Sequence, residues 1–479
     1  MVEENFQNEA LAAIVLTAPG NPKIEIDQNL TIIAESLEDQ SYRVSIIPFE
    51  TMRFEFSGSV DAPPETRPDL IVIDLRHGDH DLEAVLSACA DLQAQNLPVL
   101  FLALQSMVLT TRLCLHKYGA VVLFQLPLQS PKAAIRQVLH HFAVYSETRL
   151  RQQSLLALDR KVPEIDGQQE RLRILLVGAP GKRSLGLITA LEKSDITIIA
   201  AMSPAQCVQY LEAAEFDGLI YFSNDDKAGF PGLLRLVRRR DRFAHLPTFL
   251  MRKGKRKTRS QIAHGADFCY DPKDEEALII AEISEISRRY QKFRKRQRFL
   301  LGTKAGETRP TRPLCSRAFF ELHLARQCLE SDRSHQSLSL ILLHFAAEPA
   351  MSAGGWQDNQ AGLSRVLSEA SAYGAMLCGD IHLAGRLQKD LLAISMPDAN
   401  LADADRLAAK IRDVLSQMAF RGAGKPFRVS LSLSCVQRRE GETMMMLLAR
   451  AKAMLAEPVL LPADITGKST PRPELTLVR

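Results

Sequence analysis

The sequence predicts an α/β protein in three parts. Two tandem doubly wound, flavodoxin-like domains come first, and a third α/β domain with a central, mainly antiparallel sheet follows. Three observations predict this. Apolar runs of strand length alternate with helical spacing from residue 12 to residue 145. The same plan restarts at Arg173, and Gly119-Ala120 and Gly265-Ala266 each open an apolar run that ends in proline, Pro127 and Pro272. Near the C-terminus, two apolar runs around Leu383 and over 391–396 flank the polar break Gln388-Lys389-Asp390, the pattern of a β-hairpin whose second strand is largely buried.

In the first part, strands are expected at 12–17, 42–48, 68–75, 98–103 and 119–127, with helices at 29–37, 82–95, 109–118 and 131–145. The second part repeats the strands at 173–177, 197–200, 216–222, 246–251 and 265–272. Between them the polar stretch 148–170 reads as a helical extension and linker, broken around Pro163 and Gly167. The second part closes on a helix over 275–299 that turns strongly basic at 288–298, and a second basic run occupies 253–259. Both runs are expected as solvated surface. Few aromatics interleave with them for stacking on bases, which argues against a nucleic-acid partner.

The stretch 300–313, with its Gly, Thr and Pro, is a linker. The third domain then reads as a central strand at 337–346, a helix at 362–375, the hairpin, a helix at 403–418, an alternating strand at 427–434 and a helix at 443–455. The expected domains are therefore 1–147, 171–299 and 314–456, with a flexible tail at 457–479. A chain of 479 residues, 46% hydrophobic and 24% charged, has room for about three domains. Sixty Lys and Arg against 56 Asp and Glu leave +4, too little to imply a nucleic-acid or membrane partner. The eight scattered cysteines lack a Cys-x-x-Cys pair, so reduced thiols are expected rather than zinc or disulfides. No apolar run approaches the roughly 20 residues of a spanning helix, and the acidic start lacks the order of a signal peptide. The expected location is cytoplasmic.

The hairpin resembles the signature of the diguanylate cyclase (GGDEF) family. Laid on without a gap, Arg386, Asp390 and Met396-Pro397-Asp398 fall where that family has its arginine, acid and Met-Pro-Asp. Gln388-Lys389 replaces its Gly-Gly pair, and Leu391-Leu392 its Glu-Phe. Gly379 and His382 stand at the ends of its inhibitory Arg-x-x-Asp. The first two domains resemble response-regulator receivers (CheY-like). The order as a whole is similar to response regulators of the PleD/PopA type: receiver, receiver, GGDEF.

The resemblance implies Mg²⁺ or Mn²⁺ held by carboxylates at the end of the central strand and in the hairpin. Hard cations want oxygen ligands. Here His344 and Ala346 replace the strand carboxylates, and Asp390 is the one weak metal candidate left. Glycine in the turn lets backbone approach a substrate, whereas Gln388 and Lys389 put long side chains there. The inhibitory site would need a guanidinium and a carboxylate for guanine, and Gly379 and His382 supply neither. In the first receiver-like domain Asp74 holds the phosphoacceptor position. Its partners are replaced by Thr17 and Ala18, Ala103 and Leu126. In the second, the equivalent step from Asp217 lands on Phe222.

No catalytic residue, no metal and no cofactor are expected, Mg²⁺ entering only if receiver or cyclase chemistry survives. The expected function is a non-enzymatic signalling adaptor of the cyclic di-GMP/two-component type, acting through protein partners and a homodimer of the receiver-like domains. The alternatives are an effector binding cyclic di-GMP or GTP through Arg386, Lys389 and the basic helix, and a residual cyclase using Asp390.

Overall fold

The computed structural model describes residues 10–16, 34–35, 42–48, 70–75, 82–94, 99–104, 107–117, 120–124, 131–162, 165, 170–178, 182–222, 230–240, 243–251, 266–271, 274–302, 314–334, 336–349, 360–418, 420–422, 425–455 and 459–460. Contacts divide the chain into two units. The first holds Met1–Ser146, Pro163–Phe299 and Lys304–Gly306; the second holds Glu147–Val162, Leu300–Thr303 and Glu307–Arg479. Of the expected helix at 29–37 only residues 34–35 are described, and they are helical; the basic run 253–259, the break near Pro163, the loop 303–313 and most of the tail fall outside the described residues.

In the first unit, β1 (Ala10–Leu16), β2 (Tyr42–Pro48), β3 (Leu70–Asp74), β4 (Val99–Leu104) and β5 (Ala120–Phe124) form a parallel sheet in the order β2-β1-β3-β4-β5. That is the flavodoxin-like order. Helices α1 (Leu82–Ala94), α2 (Leu109–His116) and α3 (Pro131–Leu156) follow β3, β4 and β5. All of β3 is buried, as expected of a strand covered on both faces.

The second sheet repeats the plan. Strands β6 (Leu172–Val177), β7 (Ile196–Ala201), β8 (Gly218–Phe222), β9 (Thr248–Met251) and β10 (Phe268–Tyr270) are parallel in the order β10-β9-β8-β6-β7. Read from β7, the order is the same as in the first sheet. Helices α4 (Lys182–Lys193), α5 (Pro204–Ala213), α6 (Phe230–Arg239) and α7 (Glu276–Leu301) alternate with them. Ser203 caps α5 by accepting from the Gln206 amide, and Pro204 sits in the first turn, where its missing N–H costs nothing.

Apolar residues from both sheets form one continuous core, with Leu115 of α2 in the same cluster as Phe268, Ile279 and Ile283. A buried ionic group lies in that contact. Arg112 donates to Glu282 at 2.9 Å, and His116 Nε2 lies 3.2 Å from the same carboxylate. Burial pushes the His116 imidazole down from its ordinary value, against the pull of Glu282.

The second unit is built on an antiparallel sheet in the order β12-β13-β11-β15-β14, with β16 beside β15. Its strands are β11 (Leu338–Pro349), β12 (Leu383–Arg386), β13 (Leu391–Pro397), β14 (Phe420–Gly422), β15 (Lys425–Gln437) and β16 (Val459–Leu460). Helices α8 (Arg317–Ser334), α9 (Gln360–Met376), α10 (Leu401–Ser416) and α11 (Met444–Ala453) cover it. Alternate residues of β11 serve two cores. Ile341, Leu343 and Phe345 pack in the cluster that holds Val366 and Ile411; Leu338, Leu340 and Leu342 pack with Phe320, Leu324 and Leu447. The Met run of α11 divides: Met444 packs on the second cluster, while Met445 and Met446 are exposed.

The stretch expected as a linker from 148 splits between the units, and 147–162 group with the second. The physical reason is burial. Glu147, Thr148, Arg151 and Ser154 are enclosed, and Leu155 and Leu158 pack on the α8 cluster. Among the described residues no helix is long and apolar enough to cross a membrane. All eight cysteines are free, and burial pushes the thiols of Cys89, Cys207, Cys315 and Cys435 up to about 12.

Candidate functional site

The hairpin of β12 and β13 carries the residues singled out from the sequence. Its turn is closed by backbone bonds: Leu387 N–H donates to the Leu391 carbonyl at 2.9 Å, and Leu391 N–H to the Gln388 carbonyl at 3.4 Å. Gln388 and Lys389 are exposed at the tip. Leu391 and Leu392 are buried, one in each core, so the two residues that replace the Glu-Phe of the resemblance open a buried strand, as the apolar run predicts. Each such leucine contributes about 1.5–3 kcal/mol through burial. Arg386 donates to the Ser368 hydroxyl of α9 at 3.0 Å.

Antiparallel pairing sets His344 of β11 opposite Leu391, which brings Asp390 alongside; Phe345 N–H donates to the Asp390 carbonyl at 2.8 Å. The His344 Nε2 and an Asp390 carboxylate oxygen are 3.3 Å apart, and the two side chains are 40% and 41% exposed. An imidazole therefore answers the one hairpin carboxylate. This donor set does not fit a magnesium or manganese ion, which needs several hard oxygens in octahedral array. Among the described residues no group of three or more His, Cys, Asp or Glu is arranged to hold a metal. The pair offers an exposed hydrogen-bonding edge and no two-metal or phosphate-clamping geometry.

Gly379 and His382 meet each other. His382 N–H donates to the Gly379 carbonyl at 3.1 Å, and Gly379 N–H to the His382 Nδ1 at 3.0 Å. The carbonyls of Ile381 and His382 accept from Arg151 at 3.2 and 2.9 Å.

In the first unit Asp74 ends β3, buried, with Leu16 and Leu102 as its register partners on the flanking strands. Ala103 is buried next to Leu102. Thr17, Ala18 and Leu126 lie outside the described residues. Asp217 sits just before β8, where its carboxylate accepts from the Arg173 amide at 2.9 Å and pairs with Arg294 at 3.0 Å.

The basic end of α7 departs from the expected solvated surface. Arg294 also donates to the Phe216 carbonyl at 2.9 Å, Lys295 pairs with Glu170 at 3.2 Å, Arg298 pairs with Glu215, and Arg296 lies 4.7 Å over the Tyr145 ring. The side chains of Arg294, Lys295 and Arg298 are 14–16% exposed. Acids at the ends of the second sheet pair with Arg294, Lys295 and Arg298, which leaves those three cations engaged rather than offered to phosphate.

Sequence reasoning missed the buried polar group of Glu147, Arg151, Ser154, His323 and Gln327. Glu147 accepts from Arg151 at 2.6 Å, from the Gln327 amide at 3.0 Å and faces His323 Nε2 at 2.9 Å. Its one local signal is the Glu-to-Arg spacing of four on a helix, which is common on solvated faces.

No family model matches the chain, and no curated protein does. Solved structures with similarity to it include the GGDEF domain of DgcB from Caulobacter crescentus in complex with c-di-GMP. That match is 19% identical, covers 29% of this chain and 80% of the other, and has a TM-score of 0.24. The active GGEEF domain of a diguanylate cyclase from Vibrio cholerae is 17% identical over 30% of this chain and 89% of its own, with a TM-score of 0.26. The receiver domain of the Francisella response regulator 1452 is 12% identical over 25% of this chain and 98% of its own, with a TM-score of 0.22. Values this low say nothing about activity, so the chemistry rests on the side chains described above.

Proposed function

We propose that the chain is a non-catalytic signalling protein with a receiver–receiver–GGDEF layout, working in cyclic di-GMP or two-component signalling through protein contacts. The observation that carries this reading is the His344–Asp390 pair beside the Gln388-Lys389 turn. A nucleotidyl transfer needs cations to offset triphosphate charge and a turn that admits the nucleotide. Here an imidazole meets the remaining acid, two long side chains occupy the tip, and the two positions after Asp390 serve the cores. Homodimerisation through residues 1–290 belongs to the same proposal; exposed Leu185 and Met202 are apolar side chains available to it.

Calorimetric titration of the full chain with cyclic di-GMP, and separately with GTP and Mg²⁺, tests the reading. It expects no saturable heat in either titration. Stoichiometric binding of cyclic di-GMP that is lost in Arg386→Ala or Lys389→Ala would replace the adaptor with a nucleotide effector.

A further inference from the structure

The end of α3 and the turn that follows it carry an acid, a base, a hydroxyl and two leucines at 147, 151, 154, 155 and 158. That is the i, i+4, i+7, i+8, i+11 spacing of a helix that lies in a groove. The groove belongs to the second unit. Phe319, His323 and Gln327 of α8 line it, with the turn at 379–382. Leu155 and Leu158 pack on the cluster of Phe319, Phe320 and Leu383.

The polar contacts of Arg151 are more numerous than an ordinary surface helix supplies. The Arg151 guanidinium donates to Glu147 at 2.6 Å, to the Leu300 carbonyl at 2.8 Å and, from one nitrogen, to the carbonyls of Ile381 and His382. The Ser154 hydroxyl lies 2.9 Å from the Leu150 carbonyl and 3.1 Å from His323 Nδ1, and His323 Nε2 lies 2.9 Å from the Glu147 carboxylate.

We propose that residues 147–158 are an internal helical ligand of the second unit, and that Arg151 is the group through which this helix holds the 379–382 turn and the β12–β13 hairpin behind it. The occupant is a segment of the chain itself, and its recognition chemistry is a Glu–Arg pair one helical turn apart followed by apolar anchors. Residues 131–146 of the same helix belong to the first unit.

Hydrogen exchange of the full chain, read by mass spectrometry, tests this. In Arg151→Ala, amides of 379–388 are expected to exchange at least about tenfold faster, the equivalent of about 1.4 kcal/mol. Peptides of β3, β4 and β9 should keep wild-type protection. Arg151→Lys retains the charge but loses the fork and should fall between the two; it gives the reading if the alanine variant does not fold. Unchanged protection at 379–388 in both variants, or an equal loss across both units, overturns the proposal.

Discussion

Glu147 is a carboxylate that keeps its charge while 2% exposed. Burial alone would raise it; the charges and hydrogen bonds of His323 and Arg151 outweigh burial and hold it at about 2, against an ordinary 4.5. A depressed folded value means the stabilisation is complete above 4.5 and is lost as pH falls toward 2. At order of magnitude it amounts to about 3 kcal/mol. Thermal midpoints of the full chain, followed downward from about pH 5, should drop less steeply in Glu147→Gln than in wild type. Parallel curves would show that Glu147 is not linked to folding. Asp74, by contrast, is buried at the end of β3, and its phosphoacceptor position is what the receiver resemblance implies. Phosphoryl transfer needs a metal held by neighbouring acids, and the same resemblance puts Thr17 and Ala18 where those acids would be. Beryllofluoride with Mg²⁺ should leave the amide shifts of residues 70–130 unchanged; a saturable change absent in Asp74→Asn would mean that the domain still switches.

At the scale of elements, the hairpin depends on a close approach. The segment at Cys315 bonds to β12 on its outer edge, with Cys315 N–H to the Ala384 carbonyl at 3.1 Å and Arg386 N–H to the Cys315 carbonyl at 3.2 Å. A Cβ at Gly385 would meet the Phe320 ring at 2.5 Å and the Cys315 sulfur at 2.8 Å. Gly385→Ala should therefore destabilise the second unit by about 1–3 kcal/mol, the usual cost of overpacking. Chemical denaturation checks it, and a midpoint equal to wild type would contradict this packing. The strands were legible because runs such as residues 70–73 and 391–394 are apolar throughout and bounded by polar positions. Helix α8 was not, because His323 and Gln327 lie on its buried face and interrupt the apolar stripe. The same fact hid the Glu147 group: its members are far apart in sequence, and no local spacing announces a partner 176 residues away. The burial of Leu391 and Leu392 was legible in their apolar run, whereas the pairing of Asp390 with His344 was not, because it depends on the register of β11 against β13.

For the whole molecule, three sheets stand among the described residues, and several of its ionic side chains have partners within the chain. Arg294, Lys295 and Arg298 meet acids of the first unit, Arg151 meets carbonyls of the second, and Asp390 meets His344. The proposed reading, a protein that presents surfaces rather than transforms a substrate, makes a direct claim about activity. The most direct measurement is turnover: purified full-length protein incubated with GTP and either Mg²⁺ or Mn²⁺, with nucleotides resolved by chromatography. The account predicts no cyclic di-GMP above a protein-free control with either metal. Formation of cyclic di-GMP that disappears in Asp390→Ala would contradict it.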